Sequence, residues 1–327
     1  MRYISELIDS KRKIRKKENS VILEYEDRNM FVSNRKARMN LLALGDVGGT
    51  VLTGLRLLGS DAVESIGIYD LNEKLLRRYE REINQICFPD CRVLPHVEII
   101  DEAGLFDCDM FVFCASKGVP PVGAGGDVRM AQLEANRQLV SMYSSRAVSC
   151  GFRGIFAVVS DPVDPLCKSA LSAGLRPEQV QGYGLGVMHG RACYYSDMDE
   201  RMAMYRSEGR AFGPHGQDLV IANSIMDYDD GLSAELTALA VNSNMATRED
   251  GFKPYIAPAM SSGAVSLTET LQGNWNYSSH FLGSGESGAF LGCLNRRTAE
   301  GIEIEDRSLD DRLFERIESA YRNLEKL

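Results

Sequence analysis

Residues 39–59 read MNLLALGDVGGTVLTGLRLLG. The opening apolar run suits a buried strand, and the closing TVLTGLRLLG suits a helix. Between them lies a glycine cluster. A strand, a glycine turn and a helix in that order are how an open parallel sheet receives a dinucleotide. The helix N-terminus offers free N–H groups to a pyrophosphate, and glycines let the backbone approach it. The spacing Ala43-x-Gly45-x-x-Gly48 follows the usual glycine pattern, with alanine in place of the first glycine.

The neighbouring sequence extends this reading. SIGIYD, ending at Asp70, is a second strand, and its acid lies 22 residues beyond Gly48. An acid there can accept both ribose hydroxyls and would repel a 2′-phosphate, so NAD is favoured over NADP. LNEKLLRRYEREINQI reads as a helix, CRVLPHVEII and DMFVFCAS as strands, and DVRMAQLEANRQLVSMYSSRAVSC as a long helix. GIFAVVSDPVDPL reads as a strand ending in a turn. The alternation predicts an α/β fold with a doubly wound parallel sheet. The pattern changes after about residue 165. The expected division is a dinucleotide-binding domain over 40–165 and an α+β substrate domain over 166–327.

Residues 1–39 stand apart. They carry 11 Lys/Arg and 6 Asp/Glu, so this part is +5 and the remaining residues are −14, for a net charge of −9. Six of the seven residues from Lys11 to Lys17 are basic. This segment is expected to be a basic arm, packed on the body or on a neighbouring subunit. The acidic total argues against a nucleic-acid partner. No apolar run reaches membrane-spanning length and no signal peptide is evident, so a cytoplasmic protein is expected. The 8 cysteines are scattered without a CxxC, and neither a disulfide framework nor a metal site is expected.

His215 sits in GPHG, framed by Gly213, Pro214 and Gly216. Such a frame suits an imidazole that must meet a substrate. From here the pieces fall into a known order. The glycine loop, IYD, FCASKG, VRMAQLEANRQLV, VVSDPVDPL, GYGLGVMHGR, FGPHG, YIAPA and GAFLGCLNRR resemble the lactate/malate dehydrogenase family from about residue 40 onward.

The resemblance implies hydride transfer between NAD and C2 of a small 2-hydroxy or 2-oxo acid. It makes His215 the proton donor and acceptor, Arg191 the carboxylate holder and Arg129 the group that polarises the carbonyl. It assigns Gly45, Asp46, Val47, Gly48, Asp70, Cys114, Ala115, Ser116, Asn136 and Ser160 to the cofactor, and it implies a homo-oligomer, dimer or tetramer.

Three positions depart from the family. Asp161 replaces a catalytic asparagine, and Met188 replaces the aspartate that orients the histidine. The loop from Gly118 to Gly126 has no cation to select a second carboxylate. The expectation is that Asp161 partners His215 in place of Met188. A helix turns His189 about 100° from its neighbour Met188, so His189 is not given that role.

Overall fold

Two short strands come first in the chain, β1 (Ile14–Lys16) and β2 (Ser20–Glu24), and the expected alternation follows. It runs β3 (Ala37–Leu42), α1 (Asp46–Leu58), β4 (Val63–Tyr69), α2 (Glu73–Asn84), β5 (His96–Ile99), β6 (Met110–Phe113), α3 (Val128–Ser149), β7 (Ile155–Val158), α4 (Val163–Ser172) and β8 (Val180–Gly182). This computed structural model describes residues 1–26, 35–117, 128–285 and 287–327, with the side chains of 128–132 outside the description. The side chain of Arg129 and the loop from Gly118 to Gly126 therefore lie outside the described residues.

The later elements are α5 (Leu185–Ser196), α6 (Tyr205–Glu208), β9 (Arg210–Phe212), β10 (Val220–Ala222), α7 (Asp230–Glu249), α8 (Ser266–Gln272), β11 (Asn276–Phe281), β12 (Phe290–Arg297), β13 (Gly301–Glu305) and α9 (Asp311–Glu325). A π-helical segment, Pro258–Val265, leads into α8.

The sheet has 11 strands in the order β1-β2-β13-β12-β11-β8-β7-β6-β3-β4-β5. From β8 to β5 the pairs are parallel. The strand order reverses beside β3: the chain leaves toward β4 and returns to β6 on the other side. This switch point opens a crevice at the strands' C-terminal ends, where Ala43 and Cys114 stand. β6 and β7 are buried throughout, as apolar strands covered on both faces must be. The sixth parallel strand, β8, lies beyond residue 165. β11 then pairs antiparallel to it through Ser279 and Gly182, and the sheet continues without a break.

The N-terminal segment differs from the expected arm. Val21, Ile22 and Leu23 are buried, and β2 pairs with β13 in the register Val21 to Ile304. Ile4 and Ile8 join one core with Phe314 and Ile317 of α9. β1 keeps an exposed, basic face. The basic run there meets acids of the β12–β13 hairpin: Arg15 pairs with Glu300, and Lys17 Nζ lies 3.1 Å from Glu303. The apolar run SVIL outweighs its charged surroundings because burial of each aliphatic side chain is worth about 1.5–3 kcal/mol.

Candidate active site

The loops after β3, β6, β7 and β8 meet at the crevice. Gly48 is fixed by close approach, since a Cβ there would lie 1.9 Å from the Ala43 carbonyl oxygen. Ala43 itself holds φ +73°, a left-handed conformation that favours glycine. At the N-cap of α1, Gly45 supplies no side-chain acceptor, and the space where its Cβ would stand is open to 4 Å. The first amides of α1 are thus left for an external acceptor. Asp46 occupies the first turn, and its Oδ2 lies 3.0 Å from Lys253 Nζ.

Asp70 follows β4 and ties the loop together. Its two oxygens accept hydrogen bonds from Leu44 N and Asn72 N, both at 2.8 Å. Asn136, on α3, is fully buried. Its amide donates to Asp161 O at 2.9 Å and to Ser116 Oγ at 3.2 Å, and its oxygen accepts from Lys117 N at 2.8 Å. It holds the β6 and β7 loops in register. Ser160 Oγ donates to Ala115 O at 2.7 Å and is likewise buried. Val47, Cys114, Ser116, Ser160, Asp161 and His215 all border one cavity of about 170 Å³.

His215 stands in the turn between β9 and β10. Gly213 makes that turn at φ +86°. Gly184 leaves room for the ring, because a Cβ there would lie 2.9 Å from His215 Cβ. His215 Nδ1 lies 3.1 Å from Asp161 Oδ1. The histidine side chain is 14% exposed and the aspartate 55%. Among the described residues His215 Nε2 has no hydrogen-bond partner.

Met188 takes no part in this pairing. It is buried in α5, and its sulfur accepts from Arg191 Nη1 at 3.4 Å. Arg191 is buried too. It donates to Ala240 O at 3.3 Å and to Asn244 Oδ1, both on α7. Burial depresses its pKa while the Asp161 charge supports it. Arg191 borders a second cavity of about 440 Å³, with Val187, Tyr194 and Ile256 in its wall. Pro258 lines both cavities. His189 is turned elsewhere: Nδ1 lies 2.9 Å from Tyr205 Oη, and the ring stacks on Tyr277.

One acid escaped the sequence reading. Asp164, in the first turn of α4, is buried, and burial raises its pKa to about 6 against the opposing influence of the Ser279 hydroxyl and His215. The signal was present as the second acid of SDPVD, but that run alone does not say which of its acids is buried. The eight cysteines are all free. No helix among the described residues is long and apolar enough to cross a membrane.

No family model matches the chain. Its sequence is similar to an L-lactate dehydrogenase of Corynebacterium glutamicum, with 26% identity over 181 residues and 54% of each chain covered. An L-lactate dehydrogenase of Mycoplasma genitalium is 25% identical over 186 residues, 56% of this chain and 57% of that one. The chain therefore aligns with about half the length of the curated relatives it matches.

Its fold matches that of MGS-M5, a lactate dehydrogenase from a Medee basin deep-sea metagenome library. The TM-score is 0.73 at 16% identity, over 89% of this chain and 98% of that one. A malate dehydrogenase from Archaeoglobus fulgidus in complex with NADH gives a TM-score of 0.69 at 17% identity, over 88% and 97%. The strand order with its switch point and the glycine turn agree with these matches: the chain has the fold of the lactate and malate dehydrogenases and is distantly similar in sequence to L-lactate dehydrogenases.

Proposed function

We infer that this chain is an NAD-dependent oxidoreductase interconverting a small 2-hydroxy acid and its 2-oxo acid. The observation that carries this reading is the pairing of His215 with Asp161 beside the uncapped end of α1. The residues there suit a dinucleotide: open space at Gly45, backbone crowding at Gly48 and free amides on α1. Bound NAD supplies or accepts the electron pair of the redox step. Asp70 retains lone pairs for ribose hydroxyls beyond its two backbone bonds, and its charge opposes a 2′-phosphate.

His215 holds the proton at Nε2. Asp161 orients the ring through Nδ1 and favours the imidazolium once the proton arrives. Arg191 holds the substrate carboxylate, and Arg129 polarises the carbonyl. The large cavity beside Arg191 has an apolar wall of Val187, Tyr194 and Ile256. Its one lysine, Lys253, already faces Asp46. A neutral side chain bulkier than methyl suits this cavity, and a second carboxylate does not. The first part of the chain binds the cofactor and the second the substrate, in a cytoplasmic homo-oligomer, dimer or tetramer.

NADH oxidation by the purified protein against pyruvate, branched and aromatic 2-oxo acids and oxaloacetate tests the reading. Turnover of a branched or aromatic acid is expected, with oxaloacetate poor; oxaloacetate as the best substrate would overturn the side-chain assignment. A second reading, a catalytically weak or inactive NAD-binding relative with a sensing or structural role, draws on two features. Ionised Asp161 cannot donate to a C2 oxygen, and Arg191 is engaged by α7. NAD binding without turnover of any acid would favour it.

A further inference from the structure

The loop that is to receive a pyrophosphate carries its own negative charge. Asp46 is the first residue of α1. A carboxylate helps that helix end when nothing is bound but repels an arriving phosphate. Each such charge pair at about 4 Å in water changes affinity by a factor of about five.

Asp46 is not left alone. Lys253 Nζ reaches it from 207 residues further along the chain, at 3.0 Å. The packing beneath fixes this approach. A Cβ on Gly54 of α1 would lie 2.4 Å from Ala264 Cβ, and one on Gly263 would lie 2.6 Å from Val51 Cγ2. The π-helical segment and α1 therefore touch through glycine, with little room to slide. Tyr255 N donates to Lys253 O and Ala259 N to Tyr255 O, each at 3.0 Å, which ties Lys253 to the start of that segment. The pair is open to water, 81% for Lys253 and 49% for Asp46, so it contributes little to folding. Its effect should fall on what binds beside it.

We propose that Lys253 is a charge-compensating residue of the cofactor site, offsetting Asp46 so that the end of α1 accepts a pyrophosphate. This rests on reading that end as the NAD site. It makes the second half of the chain a contributor to cofactor affinity, through a residue that also borders the Arg191 cavity.

Calorimetric titration with NAD tests it on four proteins: unmodified, Lys253→Met, Asp46→Asn and the double variant. Lys253→Met should weaken NAD binding about five- to tenfold and Asp46→Asn should tighten it. The double variant should return to within about twofold of the unmodified protein, and all differences should shrink in high salt. The inference is overturned if Lys253→Met binds NAD as the unmodified protein does, or if the double variant stays as weak as Lys253→Met. An unmodified protein that binds no NAD defeats the cofactor reading and this inference together. NAD binding that ignores the charge changes defeats this inference alone.

Discussion

His215 Nδ1 and Asp161 Oδ1 lie 3.1 Å apart, although 54 residues separate them in the chain. The carboxylate reaches the ring from the β7 loop, while Met188 on α5 turns its sulfur to Arg191. In the reading proposed above, the anion that serves the imidazole would stand on the other side of the ring from the one the resemblance implies.

Replacing Asp161 by asparagine should therefore lower turnover by about 10²–10⁴, the range for a positioned acid–base group. An amide can still touch the ring but cannot favour its charged form. Steady-state rates with the best 2-oxo acid check this, and an unchanged or raised rate would show that Asp161 is not the histidine's partner.

Asp70→Ser should weaken NAD binding by about tenfold and narrow its advantage over NADP. The substitution removes the carboxylate proposed to accept the ribose hydroxyls and frees Leu44 N and Asn72 N, which Asp70 now holds. Parallel titrations with both dinucleotides measure the effect. Tighter NADP than NAD binding by the unmodified protein would contradict the role given to Asp70.

Ala43→Gly should stabilise the fold. The residue holds φ +73°, which costs an L side chain about 1 kcal/mol that glycine does not incur. The greater freedom of glycine in the unfolded chain offsets about 0.4 kcal/mol or more of this, leaving a gain of up to about 0.6 kcal/mol. Chemical denaturation of the two proteins gives the difference; a loss of stability would show that the methyl group has contacts that outweigh the strain.

Acid should act on stability through opposing groups. Burial, with Arg210 and Arg206, lowers His189 to about 4, and burial takes His280 well below its ordinary value. Their contribution is present above about pH 6.5 and is lost as pH falls through their folded values. Asp164 works the other way. Its raised value of about 6 gives stability that is full below the unfolded carboxyl value and lost as pH rises through the folded one. Asp164→Asn should be more stable than the unmodified protein at about pH 7.5, by on the order of 2 kcal/mol, and should lose stability more steeply on acidification. Thermal melts across about pH 4.5–7.5 decide it; identical curves would remove Asp164 from the account.

The parallel half was legible because β6 and β7 are uninterrupted apolar runs, the strands alternate with helical stretches, and the first turn has glycines at fixed offsets. The strand expected in CRVLPHVEII shrinks to His96–Ile99, since Pro95 precedes it and proline gives the ladder no N–H. β2 was hidden by context: three apolar residues beside a basic run read as an arm until β13, some 280 residues away, provides an edge. The resemblance assigns Asn136 to the cofactor, while its burial and its three hydrogen bonds become visible only in three dimensions. The Asp161–His215 contact was anticipated because a missing charge must be replaced near the ring it serves.

The pairing of β2 with β13 has a consequence for the ribosome. Some 280 residues of synthesis separate Ser20–Glu24 from its edge partner, Gly301–Glu305. At about 5–20 residues per second, an apolar strand waits roughly 15–60 s for the neighbour that covers it. The six basic residues just before it should act as gatekeepers through that interval, discouraging nascent chains from pairing with one another. Serine at Lys13 and Lys16 should accordingly lower the soluble yield while leaving the melting temperature of the purified protein nearly unchanged. An unaltered yield would leave the basic run with no part in synthesis.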